Sequence, residues 1–137
     1  MSFEVFRIAR ISRTAWSRLY VSIVSIFALS VLIQIAFAGD AALLDAAGWH
    51  LHTRWVAIFQ WLSVALAVLS LFASRNWSFR VLNLVPILIL LLQYVTIHYA
   101  INHGSAWVVG LHASGGAILF GFLIFLVTQW RYRGLPA

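Results

Sequence analysis

Four stretches of the chain are almost wholly apolar: residues 19–38, 51–73, 81–100 and 107–130. A helix needs roughly 20 such residues to cross the hydrocarbon core of a bilayer. The pattern therefore predicts four membrane spans, with Arg54 near the start of the second. Short connections between them predict antiparallel neighbours in one up-down-up-down bundle. The fold class is all-α, an integral membrane four-helix bundle. Trp16, Trp49, Trp55, Trp77, Trp107 and Trp130 fall near span ends, where amphipathic rings prefer the headgroup level.

Residues 1–18 precede the first span. At 100° per residue, Arg7, Arg10, Arg13 and Arg18 share one side, and Val5, Ile8, Ala9, Trp16 and Leu19 the other. This predicts an N-terminal amphipathic helix lying on the membrane surface. The apolar run after it is too long for a cleavable signal, and no convincing cleavage site ends it. Residues 131–137 read as a short cytoplasmic tail.

Composition supports this partition. Of 137 residues, 64% are hydrophobic and 9% charged, with a mean hydropathy of +0.97. A soluble domain is nearer half apolar and a quarter charged. The chain has no cysteine, which removes disulfide frameworks and thiolate metal sites. The net charge is +6 and every basic residue is an arginine. These arginines flank apolar runs instead of forming a stripe, so they point to membrane topology and not to nucleic acid. Arg7, Arg10, Arg13, Arg18, Arg75, Arg80, Arg131 and Arg133 fall on one side of the predicted bundle, and only Arg54 on the other. The positive-inside rule then places both termini in the cytoplasm, with Asp40 and Asp45 in the outer loop.

The two halves of the chain repeat. Span 1 carries Gln34 and span 2 opens on His52. Span 3 carries Gln93 and span 4 opens near His112. One inserted residue superimposes spans 1 and 2 on spans 3 and 4. Both halves start on the same side, so the repeat is parallel, and its pseudo-two-fold axis runs along the membrane normal. His52 and His112 become equivalent residues at equal depth, able to face each other across that axis.

Ionisable groups at membrane depth are costly and usually functional. All five histidines fall on the outer half. Two neutral imidazoles are the axial ligands of a six-coordinate electron-transfer haem, and helix bundles hold such groups between facing helices. His52 and His112 are the expected ligands. Gly115 and Gly116, one turn from His112, would let a ring edge approach the backbone. Arg54 would pair with a propionate. Gln34 and Gln93 would support the cofactor or bond between helices. The plainer alternatives are helix packing for the glycines, snorkelling for Arg54, and a bond to a carbonyl or another helix for the histidines. His98 ends span 3 without an equivalent in the first half. His50 points away from His52, and His103 is expected in a loop. Pro86 is expected to kink span 3.

Gln34 with Ala38-Gly39, His52-Thr53-Arg54, Gln93, and Leu111-His112-Ala113 with Gly115-Gly116 resemble a small uncharacterised family of four-span bacterial membrane proteins. More loosely they resemble one half of haem A synthase. Four-span b561-type cytochromes are a further analogue, with paired histidines on helices. The resemblance implies His52 and His112 as the histidine pair. The synthase pattern has a glutamate shortly before its first histidine and an arginine directly after it. Here Trp49-His50-Leu51 has no glutamate, and Arg54 comes one residue late.

The expected function is a b-type cytochrome of a bacterial inner membrane, binding one haem b and carrying electrons. Its expected partners are lipid and either quinone or other subunits of a redox or photosynthetic complex. Two alternatives stand beside it. One is a non-catalytic structural or assembly subunit. The other is a haem- or lipid-modifying enzyme related to haem A synthase.

Overall fold

In a computed structural model the backbone is described for residues 2–133 and the side chains for residues 15–130. The side chains of Arg7, Arg10, Arg13, Arg131 and Arg133 lie outside the described residues. So do those that would define the N-terminal amphipathic face and the tail. Among the described residues every regular element is helical. Helix α1 is Ser2–Leu43, α2 Trp49–Phe59, α3 Trp61–Ala73, α4 Trp77–Leu82, α5 Val85–His103 and α6 Ala106–Arg133. A 3₁₀ turn, Ala46–Gly48, precedes α2.

These helices supply four segments long and apolar enough to span a bilayer: Ala15–Leu43, Ala46–Ala73, Trp77–His103 and Ala106–Trp130. We call them spans 1 to 4. Each expected apolar stretch falls inside one of them. Much of their surface is exposed apolar side chain, including Leu29, Ile58, Leu88 and Ile118, as lipid contact requires.

Two of the spans are interrupted, for different reasons. Pro86 has no backbone N–H, so the carbonyl of Leu82 loses its helical partner. Span 3 accordingly divides into α4 and α5 at Asn83, whose side-chain amide donates to the Phe79 carbonyl at 2.7 Å. Span 2 divides at Gln60 without a proline. There the Ser63 hydroxyl donates to the Gln60 carbonyl at 2.6 Å, and the Ser63 N–H bonds that same carbonyl at 3.1 Å. The turn is tightened to a 3₁₀ pattern by a serine bonding back onto its own helix.

Span 1 packs against spans 2 and 4, and span 4 against span 3, while spans 2 and 3 meet only along a thin seam. The core is one-sided along the bundle axis. Tyr20, Val24, Phe27 and Val31 on span 1 meet Phe59 and Leu66, Leu90, and Leu119, Leu123 and Leu126 on the others. These residues run from the middle of the bundle to the end that carries the 74–76 connection. In the other half, residues 32–40, 49–58, 91–99 and 106–118 include no buried position. Above that band Ala41, Gly48 and Ala100 are buried again, at the end that carries the 44–48 and 104–105 connections. We call this the loop end. At the loop end the chain leaves α5 through Gly104, whose φ of 61° is a left-handed value that glycine takes without strain.

The internal repeat extends to the packing. Val24 and Asn83, Phe27 and Pro86, Val31 and Leu90, and Ala41 and Ala100 are buried pairs at the same chain spacing as Gln34 and Gln93. Phe59 and Leu119, and Leu66 and Leu126, keep the spacing of His52 and His112.

Candidate functional site: a histidine pair between spans 2 and 4

His52 and His112 lie in the band without buried side chains, and the bundle turns them toward each other. Their ring centroids are 6.5 Å apart with the planes at 62°. The register of each ring is set by the neighbouring span. His112 Nδ1 bonds the backbone carbonyl of Gln93 at 3.0 Å. His52 Nδ1 meets the backbone carbonyl of Gln34 over a longer 3.4 Å. A carbonyl only accepts, so Nδ1 carries the proton in both rings and Nε2 keeps its lone pair. The 1,3 arrangement of the nitrogens turns each Nε2 away from its carbonyl. Among the described residues neither Nε2 has a hydrogen-bond partner. The expected equivalence of Gln34 with Gln93 and of His52 with His112 thus reappears as two equivalent histidine–carbonyl contacts.

Around His52 the first half of the chain builds a ladder. His52, Trp55 and Phe59 share one face of α2 at helical spacing. They meet Gln34, Ser30 and Phe27 on span 1 in antiparallel order. Trp55 donates its indole N–H to the Ser30 carbonyl at 2.9 Å. Phe59 packs on Phe27 with centroids 5.9 Å apart. Trp49 stands edge-on to His52 at 5.5 Å. These contacts set the ring's height along the bundle.

The second half is built differently. A Cβ on Gly115 would lie 2.8 Å from Gln93 Oε1, so the space over this glycine is taken by the Gln93 amide. A Cβ on Gly116 would meet Gln93 Nε2 at 3.6 Å and Ile35 Cγ1 at 3.9 Å. The two glycines therefore seat the glutamine of span 3, a close helix approach of the kind small residues allow in membranes. The side chain of Gln34 lacks such a seat: its Oε1 is buried without a hydrogen-bond partner among the described residues. Arg54 is exposed, two residues past His52 on α2, farther from the loop end and about 200° round the helix from the histidine.

The other histidines are separate. His98 Nδ1 bonds the Tyr94 carbonyl at 3.0 Å. His50 Nδ1 bonds the Ala47 carbonyl. His103, expected in a loop, is instead the last residue of α5. It bonds the Tyr99 carbonyl at 3.0 Å and stacks on the Tyr99 ring at 4.1 Å. The apolar pattern breaks off near residue 100, but the helix continues until Gly104 can turn it. One polar contact was missed from sequence: Tyr94 donates to Gln60 Oε1 at 2.9 Å across the seam between spans 2 and 3. The signal was Gln60 itself, an amide in the middle of an apolar span.

With this geometry in place, the chain can be set against known proteins. Residues 34–100 match a family of unknown function, DUF6220. The matched stretch runs from Gln34 through His52 and Gln93 to Ala100 and stops short of His112. No curated protein and no solved structure matches the chain, so the likeness to haem A synthase and to b561-type cytochromes finds no support there. The uncharacterised family does.

Proposed function

We propose that the protein is a membrane-embedded b-type cytochrome in which His52 and His112 hold one haem b for electron transfer. The observation that carries this reading is the histidine pair itself. The ring centroids of His52 and His112 are 6.5 Å apart, a separation at which one metal ion could take a nitrogen from each ring. Both rings are in the tautomer that leaves Nε2 to a metal, each oriented by a carbonyl as metal-binding histidines are.

The number of donors favours a porphyrin over a bare ion. Among the described residues no group of three or more histidine, cysteine or acidic side chains is gathered. A porphyrin would bring its remaining donors with it, so the imidazoles of His52 and His112 would suffice to hold it. Bound there, the haem supplies a one-electron couple. The chain's own residues hold it and set its surroundings. The Gln34 and Gln93 carbonyls make the imidazoles more electron-rich by accepting their protons' bonds. The apolar spans keep bulk water from the site.

We further place the chain in a bacterial inner membrane with both termini cytoplasmic, on the strength of the arginine distribution. The haem would then lie nearer the outer face.

Haemin titration into haem-free protein tests the assignment. One equivalent should bind with the absorption of a low-spin, six-coordinate centre. His52→Ala and His112→Ala should each give a high-spin or empty site. Equal, weak uptake by all three proteins would end the reading.

A further inference from the structure

The thin seam between spans 2 and 3 contains a polar pair at a depth where polar groups are expensive. Gln60 sits at the middle of span 2, where that helix is interrupted. Tyr94 donates to its Oε1 at 2.9 Å and is itself 36% exposed. The pair therefore faces the bilayer side of the seam instead of the core. It is also beside the proposed redox centre, since Tyr94 directly follows Gln93, whose carbonyl orients His112. One turn further toward the loop end, His98 shares the Tyr94 face of α5. Its Nδ1 donates to the Tyr94 carbonyl, and its Nε2 has no hydrogen-bond partner among the described residues.

We propose that a lipid-soluble hydroquinone docks at Tyr94 and Gln60, between spans 2 and 3, and delivers electrons to the centre held by His52 and His112. The inference rests on the cytochrome reading for its electron acceptor, but the docking site does not. With the Tyr94 O–H given to Gln60 Oε1 and one Gln60 N–H to the Ala57 carbonyl at 3.2 Å, the phenol oxygen remains as an acceptor and the second amide N–H as a donor, for a headgroup whose two oxygens carry O–H when reduced and accept when oxidised. An entry from the lipid side suits a molecule with a long apolar tail. Oxidation breaks both O–H bonds of the hydroquinone and releases two electrons and two protons. The electrons go singly, one to each of two ferric centres, which become ferrous. The protons go to His98 and then to water at the loop end.

Decylubiquinol and its oxidised form, decylubiquinone, are the probes. In haem-loaded protein, decylubiquinol should reduce two haems per molecule. Tyr94→Phe and Gln60→Leu should each slow this by about tenfold, the loss of one hydrogen bond, with dithionite reduction and haem content unchanged. In protein prepared from haem-deficient cells, decylubiquinone should quench tryptophan fluorescence saturably, since Trp61 adjoins Gln60, and Tyr94→Phe should weaken that binding about tenfold. Quenching that never saturates, or that neither variant alters, would overturn the docking site whether or not haem binds. Saturable quenching in a protein that takes up no haem would retain the site and overturn only the electron transfer.

Discussion

The Tyr20 hydroxyl donates to Asn83 Oδ1 at 2.8 Å, joining the starts of spans 1 and 3 across 63 positions of chain. Both residues are fully buried. The bond ties the interruption of span 3 to the core, because Asn83, at the break, gives its amide N–H to the Phe79 carbonyl and accepts Tyr20 on its oxygen. Tyr20→Phe removes one donor and strands a buried acceptor, which costs about 1–3 kcal/mol. Thermal unfolding in detergent should show the loss. Haem content at room temperature should not change, since the histidine pair lies in the opposite half of the bundle.

The two glutamines meet the histidines through their backbones. Gln34→Leu and Gln93→Leu keep those carbonyls, so both variants should bind haem at wild-type stoichiometry. Loss of haem from either would show that the amide, not the carbonyl, does the orienting.

Gly115→Ala would place a methyl 2.8 Å from Gln93 Oε1. The atom it meets is the end of an unbranched side chain, which can swing aside. The expected cost is under about 1 kcal/mol, below the usual range for overpacking. Gly115→Leu has no such escape and should lower the unfolding temperature sharply. A Gln93→Ala change made together with Gly115→Leu should recover part of the loss.

Topology is open to a direct check. With both termini cytoplasmic, a fluorescent protein fused after Ala137 should be bright and an alkaline phosphatase fused there inactive. A phosphatase inserted at the 44–48 connection should be active. The reverse pattern would invert the bundle and put the histidine pair near the inner face.

Much of this fold could be read from sequence because a bilayer asks little of a span beyond length and apolarity. All four spans were legible for that reason. The histidine pair was legible because the repeat put two rare ionisable residues at matching positions. What escaped depended on the partner helix. Gly115 reads as space for a ligand until Gln93 is seen to occupy it. The span 2 interruption has no proline to announce it, only Ser63 bonding back to Gln60. Tyr94 belongs to an apolar stretch by composition, and its bond to Gln60 follows from how spans 2 and 3 meet.

The central claim is one haem held by two histidines. A pyridine haemochrome assay on the protein purified from haem-replete membranes, scaled to protein concentration, tests it most directly. The account predicts one haem b per chain in the wild type, and none in the His52→Ala/His112→Ala double variant. Folded wild-type protein that carries no haem, or a double variant that carries as much as the wild type, would contradict it.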